Sequence, residues 1–371
     1  MSEGVERVSA QVTTTVIQDE AHWDAIRDHW NELHAASPTA STPLDHTWLR
    51  NWWRVYQPSL RAASLRVITV WRRARLIGAL PLFIHRDRNS WLVIRHLRMM
   101  STGEAEFEET CPDYLDLLSL SGEEAVCADS VWRAIDEMTW DHLELLNLAE
   151  GTALTRPGIV PTSARRFSLG ACPIADLAGG FESYLHKLSS NGRQQARRLL
   201  REAEAAGARL DILGTNQLAG GFNDLVRLHQ ARWTRDGRPG VFSAPRFVEF
   251  HRSLLAQWLP VGRAVLARLT LGSEPVAVLY GFVSGSTFEF YQSGVRIEAA
   301  GPLRSPGNLS HLLLMKALSE RRVTAYDFLR GSSPYKKRLS TRENQLSGIE
   351  IWRPTVRASV HRLTRRVGQI A

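Results

Sequence analysis

The feature that most constrains the fold is an order of secondary structure that occurs twice along the chain. Each copy begins with two β-rich runs joined by a short polar turn, the sequence pattern of a β-hairpin. The first hairpin covers residues 66–84 and the second covers residues 264–282. A further strand, a helix and another strand follow each hairpin, so β-β-β-α-β is predicted twice. This repetition indicates a duplicated unit.

The remaining elements are predicted from hydrophobic periodicity. In the first copy the segments after the hairpin are the strand 91–100, with 114–119 as a second candidate strand, then the helix 122–138 and the strand 142–148. In the second copy they are 287–295, the helix 307–320 and the strand 324–329. Helical sequence precedes each hairpin, at 21–35 and 46–56 in the first copy and at 181–207, 218–236 and 244–259 in the second. Helices followed by a mostly antiparallel sheet predict the α+β class.

A length of 371 residues suits two domains of ordinary size. Gly151, Pro157, Gly158 and Pro161 punctuate the stretch between the two copies. We therefore expect an N-terminal half at 1–160, a C-terminal half at 161–352 and a tail at 353–371.

Charge and motifs narrow the functional classes. The chain has 46 basic and 38 acidic residues, a net charge of +8 that favours a polyanionic partner such as a phosphorylated cofactor, nucleic acid or an anionic membrane. No apolar run reaches the roughly 20 residues of a membrane span, and no signal peptide is visible, so we expect a cytoplasmic protein. Three cysteines without a C-x-x-C pair predict no metal site. The motifs of dinucleotide enzymes, P-loop NTPases, serine esterases and zincins are missing from the sequence.

The most informative segment lies between the third strand and the helix of the second copy. The strand ends at Tyr291-Gln292-Ser293-Gly294, and the helix starts at Ser305-Pro306-Gly307-Asn308. Ser305 suits the N-cap and Pro306 the first helical position. The unpaired N–H groups and the dipole of a helix N-terminus attract anions, and Gly307 would allow a phosphate to approach closely. The alternative is that Ser-Pro-Gly is only a good helix start.

These residues carry a resemblance to a known superfamily. Arg304-x-x-Gly307-x-Leu309 resembles the first part of the R/Q-x-x-G-x-G/A pyrophosphate loop of GNAT acyltransferases, with Leu309 departing from its last position. Other stretches resemble a GNAT branch identified with acetyltransferases of cellulose or exopolysaccharide biosynthesis. These stretches are 188–198, Arg232-Trp233 with 239–242, 291–294, and 326–331 with Tyr335-Lys336. The resemblance is strongest from 181 to 337, and related Fem-type aminoacyl ligases share the architecture.

The resemblance implies two GNAT-like, mixed but mostly antiparallel sheets with flanking helices, and an acyl-CoA co-substrate, acetyl-CoA above all, without a metal. An amine or hydroxyl of a sugar, amino acid or polysaccharide precursor would attack the thioester directly while a backbone N–H holds the oxyanion. The candidate catalytic residues are Asp327 as proton acceptor and Tyr335 as proton donor to the thiolate. The candidate cofactor-binding residues are Gly294, Arg304, Ser305, Gly307, Asn308 and Lys336. The candidate acceptor-binding residues are Arg193, Arg197, Trp233 and Tyr291.

Each candidate also has a purely structural interpretation. Asp327 could hold Arg330, Lys336 or backbone N–H groups, and Tyr335 could be a core residue with a wet hydroxyl. The arginine-rich segment that contains Arg193 and Arg197 has guanidinium groups suited to phosphates, but nearby acids also make it a solvated, salt-bridged helix.

Glu104, Glu106, Glu108 and Glu109 form an acidic loop at the first-copy position that matches the phosphate loop of the second copy. Carboxylates there would repel a pyrophosphate, so we expect that the first half does not hold the cofactor. The loop could instead shape the acceptor cleft and favour a cationic amine, or could simply be solvated.

The tail from Arg353 has the pattern of a basic amphipathic helix. It could dock on its own domain, or contact an anionic membrane or the polysaccharide-synthesis machinery. Two rival functions stay open: a Fem-type ligase that uses aminoacyl-tRNA, and a non-catalytic accessory protein of exopolysaccharide synthesis. No nucleic acid other than tRNA is expected as a partner.

Overall fold

The computed structural model describes residues 12–86, 93–296 and 303–359. The chain forms two compact units, each assembled from separate stretches of sequence. The first unit comprises Met1–Thr102, Tyr114–Phe167 and Ser347–Ala371, and the second comprises Gly103–Asp113 and Ser168–Leu346. The functional roles assigned to 1–160 and 161–352 stay predictions.

The first half of the chain supplies the elements that repeat the predicted order. The strands are β1 (Val12–Ile17), β2 (Ser64–Arg72), β3 (Arg75–Arg86), β4 (Arg95–Met99), β5 (Leu118–Ser119) and β6 (His142–Ala149). The helices are α1 (Glu20–Ala25), α2 (Arg27–Ala36), α3 (His46–Tyr56) and α4 (Glu124–Glu137). β2, β3 and β4 are antiparallel neighbours, and α4 is the crossover that brings β6 parallel to β4.

The second half repeats this arrangement. The strands are β7 (Arg165–Asp176), β8 (Ala208–Ile212), β9 (Ala264–Leu271), β10 (Glu274–Ser284), β11 (Thr287–Val295), β12 (Ala325–Asp327) and β13 (Arg342–Trp352). The helices are α5 (Gly180–Lys187), α6 (Ser190–Ala205), α7 (Leu218–Arg235), α8 (Pro245–Trp258), α9 (Pro306–Ser319) and α10 (Pro334–Leu339). β9, β10 and β11 are antiparallel, and α9 brings β12 parallel to β11. The predicted α+β class and the duplicated β-β-β-α-β order are confirmed.

The strand order within each unit follows from this repeat. The order is β1-β2-β3-β4-β6-β13 in the first unit and β7-β12-β11-β10-β9-β8 in the second. β7 and β13 each have residues in both units. β13 therefore adds a strand from the second half of the sequence to the first unit.

Helices cover both faces of the second-unit sheet. Leu279 packs in a core with residues of α5, α6 and α9, whereas the next residue, Tyr280, reaches His251 of α8. Because successive side chains of a strand point to opposite faces, α9 and α8 lie on opposite sides of β10. The strands are therefore buried on both faces, which explains their nearly continuous apolar runs.

Several boundaries differ from the prediction. The helix expected at 21–35 is two helices that break at Ile26, and the one expected at 181–207 is two helices separated at Leu188 and Ser189. Ser189 caps α6 by accepting a hydrogen bond from the Gly192 N–H at 3.2 Å. β1, β7, β8, β13 and α10 were not predicted.

The predicted tail lies mostly outside the described residues. Its first residues are helical at 356–359, and Val356 is 82% exposed there. Residues 360–371 are not described, so the amphipathic helix stays a prediction. Within the described ranges, no helix combines the length and the hydropathy that a bilayer crossing requires.

Candidate active site

An opening in the second-unit sheet lies where β11 and β12 stop pairing. The two strands are paired in parallel only from Thr287 to Glu289 on β11 and from Ala325 to Asp327 on β12. β11 continues beside β10 as far as Val295, and within the described ranges no other strand pairs with it on the β12 side. The register with β10 slips at Tyr291, a β-bulge that bends the strand. On this side, residues 290–295 of β11 therefore have no pairing strand within the described ranges.

The start of α9 has the features of an anion site. Ser305 is the N-cap, as predicted, although its side chain makes no capping hydrogen bond, and Pro306 occupies the first turn. A Cβ built on Gly307 would meet only Val295, at 3.7 Å. No packing within the described chain thus requires glycine at this position. Because the helix dipole favours anions here, the space beside Gly307 suits a phosphate group.

Arg304 is linked to helix α6 through one carboxylate. Its Nε lies 3.8 Å from Oε1 of Glu202, and Nε of Arg198 lies 3.6 Å from the same oxygen. The Arg304 side chain is 70% exposed, so it can turn to a ligand at the start of α9. The structure therefore associates Arg198 with the predicted cofactor residues.

The two predicted acceptor-binding arginines face α5 instead. Arg193 Nη1 lies 3.4 Å from Nδ1 of His186, and Arg197 Nη2 lies 3.5 Å from Oε2 of Glu182. Arg193 and Arg197 therefore make local contacts between α5 and α6, and their binding role stays a prediction.

Asp327, the predicted proton acceptor, ends β12 and is buried. Its Oδ1 accepts a hydrogen bond from the Leu329 N–H at 2.7 Å. Leu329 has a φ of 55°, a strained value for a branched side chain, and this contact helps to hold it. Asp327 thus stabilises a tight turn immediately after the strand.

Lys336, a predicted cofactor ligand, is directed into the same turn. Its Nζ donates to the carbonyl oxygens of Phe328, Leu329 and Arg330 at 2.7, 3.1 and 2.9 Å. Burial lowers the pKa of Lys336, and the carboxylates of Asp113 and Asp327 oppose that shift. In this conformation the ammonium group saturates backbone carbonyls and does not extend to a phosphate.

Tyr335, the predicted proton donor, stacks on His311 of α9 with ring centroids 5.3 Å apart. Burial raises the pKa of Tyr335 to about 12, so its hydroxyl keeps its proton at neutral pH. Burial lowers the pKa of His311 to about 3, and His311 Nδ1 lies 2.7 Å from the Tyr326 hydroxyl. Tyr335 can therefore donate a proton, while His311 is a neutral partner fixed by Tyr326.

Two other candidates have clear packing roles. A Cβ on Gly294 would lie 2.6 Å from the Leu225 carbonyl oxygen, so this glycine allows α7 to approach β11. The Tyr291 hydroxyl donates to the Thr110 carbonyl oxygen at 2.6 Å and lies 3.1 Å from His251 Nε2. These contacts put Tyr291 on the α8 side of the sheet, away from Tyr335.

Trp233 lies in the last turn of α7. Its ring stacks on His229 with centroids 5.8 Å apart, and the Arg238 guanidinium lies 5.9 Å from its centroid. Gly240, with a φ of 68°, passes directly against the Trp233 side chain. The binding role of Trp233 stays a prediction.

The acidic loop packs in the second unit. Buried Glu108 pairs with Arg246, whose Nη1 lies 3.0 Å from Oε1. Thr110 donates to Glu104 at 2.6 Å. Part of the loop is therefore held by specific contacts, whereas Glu106 and Glu109 are exposed.

One group of side chains in the first unit has metal-like spacing. Ligand atoms of His142, Glu144 and Glu350 lie within 4.8 Å of one another. Arg98 pairs with Glu144, and Arg165 Nη2 lies 2.6 Å from Glu350 Oε2. The two guanidinium groups already balance both carboxylates, so the geometry is explained by ion pairing.

Two β-β-β-α-β units, each with a parallel strand pair joined by a helix crossover, define a tandem GNAT-like fold. Residues 190–337, from α6 to α10, match the family model described as an acetyltransferase (GNAT) domain. A search of curated proteins finds no match. The predicted GNAT relationship is thereby supported for the second unit.

Solved structures resemble the whole chain. FemX aligns with a TM-score of 0.62 at 11% identity, covering 95% of this chain and 99% of FemX. A conserved protein of unknown function from Bacteroides thetaiotaomicron VPI-5482 aligns with a TM-score of 0.54 at 13% identity, covering 91% and 99%. The C-terminal domain of a putative lysylphosphatidylglycerol synthetase from Agrobacterium fabrum aligns with a TM-score of 0.50 at 11% identity, covering 93% and 96%. At these identities the likeness concerns the fold.

Sequence reasoning missed Asp113, His311 and Glu202 as site residues. His311 carried a weak signal, a histidine within the apolar stretch that forms α9. Asp113 accepts a hydrogen bond from the Arg330 N–H at 2.7 Å, but the two residues are 217 positions apart. No local pattern could have joined them.

Proposed function

We propose that this protein is an acyl-CoA-dependent acyltransferase that binds the diphosphate of its co-substrate at the start of α9. The observation that carries the proposal is the space beside Gly307 that residues 303–359 and the other described ranges leave unfilled, next to the opening between β11 and β12. Acetyl-CoA is the proposed donor. The proposed acceptor is an amine or hydroxyl of a sugar, amino acid or polysaccharide precursor, including those of cellulose or exopolysaccharide synthesis.

The proposed reaction is a direct transfer. The acceptor nitrogen or oxygen attacks the thioester carbonyl carbon, the carbon–sulfur bond breaks, and Tyr335 donates its proton to the departing thiolate. A backbone N–H in the unpaired part of β11 holds the oxyanion. Asp327 already accepts the Leu329 N–H, so we propose that the acceptor's proton reaches its carboxylate through a water molecule.

A Fem-type ligase that uses aminoacyl-tRNA is the second candidate. The observation that favours it is the alignment with FemX over 95% of this chain. A ligase of this class would require charged tRNA, whereas the first proposal requires only acyl-CoA and an acceptor.

Replacing Gly307 by glutamate tests the binding site directly. The new carboxylate would fill the space beside Val295 and repel a diphosphate at the helix start. We expect calorimetry to show CoA and acetyl-CoA binding in the native protein and at least a roughly 100-fold weaker affinity in Gly307→Glu, about 2.7 kcal/mol.

Gly220→Glu is the matched control. Gly220 lies in the first turn of α7, is exposed, and has no atom within 4 Å of an added Cβ. It should bind CoA normally. Equal affinity in both variants would rule out the α9 site, and binding of an aminoacyl-tRNA analogue without CoA binding would favour the ligase.

A further inference from the structure

The turn after β12 is held by three charged side chains that the sequence does not place together. Asp327 accepts the Leu329 N–H, and Lys336 donates to the carbonyls of residues 328–330. The third is Asp113, whose Oδ2 accepts the Arg330 N–H at 2.7 Å and whose Oδ1 lies 3.5 Å from Arg330 Nε. N–H groups and carbonyls of the turn are thus bound by opposite charges.

Asp113 comes from the end of the segment Gly103–Asp113, which is also anchored elsewhere in the second unit. Glu108 pairs with Arg246, and the Thr110 carbonyl accepts the Tyr291 hydroxyl from the bulge of β11. The segment therefore contacts both borders of the opening. Thr110 contacts β11, and Asp113 contacts the turn that follows β12.

Titratable groups from four parts of the second unit surround Lys336. Asp113, Asp327 of β12 and Cys172 of β7 raise the pKa of Lys336, while burial lowers it more strongly. The ammonium group of Lys336 in turn helps to lower the pKa of His311 on α9. Asp113 is itself buried, and its Oδ2 lies 3.8 Å from the Cys172 sulfur. A buried carboxylate and a buried ammonium group stabilise each other's charge at low dielectric.

We propose that Asp113 is a positioning residue of the transfer site, which acts through the Arg330 turn to fix Lys336 and, next to it, the Tyr335 ring. This inference deepens the proposed function and rests on it for the role of Tyr335. The segment Gly103–Asp113 would thereby link the bulge of β11, which it contacts through Thr110, to the proton donor Tyr335. Asp113 itself does not touch the reacting atoms.

Lysine reactivity tests the network without any knowledge of the acceptor. The chain has only four lysines, Lys187, Lys316, Lys336 and Lys337. Competitive acylation followed by mass spectrometry gives the pKa of each. Asp113→Asn keeps an acceptor oxygen for the Arg330 N–H but removes the charge. We expect its Lys336 pKa to fall, so labelling of Lys336 relative to Lys337 should rise roughly threefold at a pH below that pKa.

A second experiment measures activity as thiol release from acetyl-CoA, with water, glucosamine or lysine as acceptor, over a range of pH. Deprotonation of Lys336 would loosen the turn, so activity should fall as the pH rises through its pKa. Asp113 raises that pKa. In Asp113→Asn the fall in activity on the alkaline side of the pH profile, its alkaline limb, should therefore occur at lower pH, with CoA affinity unchanged. Lys336→Arg keeps its charge throughout and should lose this limb.

Asp236→Asn is the control, because it removes an exposed carboxylate whose one ion pair with a described residue is to its neighbour Arg235. It should leave labelling and pH profile unchanged. A Lys336 reactivity in Asp113→Asn equal to that of the native protein would overturn the proposal, as would lower activity with an unmoved alkaline limb. If native protein fails to bind CoA, the proposed function fails, but the labelling result still decides whether Asp113 controls Lys336.

Discussion

Tyr335 is the residue whose chemistry is most clearly fixed by its surroundings. Burial keeps its hydroxyl protonated, and stacking on His311 fixes its ring. Tyr335→Phe keeps the stacked ring and removes only the acid, so we expect thiol release to fall about 100-fold while CoA affinity stays the same. Steady-state kinetics and calorimetry measure the two effects separately.

Tyr184→Phe provides the comparison for Tyr335→Phe. The Tyr184 hydroxyl donates to the Leu339 carbonyl at 2.8 Å, a buried structural contact. Its loss should cost about 1 kcal/mol of unfolding free energy and leave the rate of the folded protein unchanged. A Tyr335→Phe protein as active as the native one would exclude Tyr335 as the acid.

For single residues, the sequence predicts what depends on local preference but not what depends on which groups lie nearby in the folded chain. The start of α9 could be predicted because Ser305, Pro306 and Gly307 are adjacent and each has a local preference. The destination of Lys336 could not, because three carbonyls of its own turn compete with any phosphate for the ammonium group. Only the folded chain shows which acceptor lies within reach.

At the scale of elements, the contact between α7 and β11 depends on one glycine. A Cβ at Gly294 would lie 2.6 Å from the Leu225 carbonyl oxygen and 2.7 Å from Leu228 Cβ. Gly294→Ala must move the helix or the strand, so we expect a loss of about 1–3 kcal/mol in unfolding free energy. Urea unfolding followed by circular dichroism measures this loss.

Gly220→Ala serves as the control on the same helix. It meets no neighbouring atom and gains helix propensity, so it should be neutral or slightly stabilising. If Gly294→Ala were as stable as Gly220→Ala, the close approach of α7 to β11 would not be a constraint on the fold.

Elements with a strong local pattern were predicted closely, and elements defined by distant partners were missed. α3 and β11 have the predicted bounds, 46–56 and 287–295, because each carries a helical or strand signal in its local sequence. β13 begins with the exposed charges of Arg342 and Glu343, which resemble a loop in sequence. Its strand conformation depends on pairing with strands far away along the chain.

At the scale of the whole molecule, the duplication poses the question of whether one or two co-substrate sites exist. α4 and α9 occupy the same place in their β-β-β-α-β units. The N-cap of α4 is Glu123, whose Oε2 lies 2.6 Å from Arg72 Nη2. The next residue, Glu124, accepts a hydrogen bond from the Gly122 N–H at 3.0 Å. The helix end that could attract a diphosphate in the first unit thus already carries two carboxylates.

We therefore expect one CoA to bind per chain, at α9. The two carboxylates at the start of α4 lie at the positive end of that helix dipole, where they would repel a second diphosphate. Gly307 and Asn308, in contrast, bring no charge to the start of α9. Calorimetric titration of the native protein should give a stoichiometry near one, and Gly307→Glu should remove all of the binding heat. A stoichiometry near two, or half of the heat persisting in Gly307→Glu, would show that the first unit kept a site of its own and that the acidic start of α4 does not exclude the co-substrate.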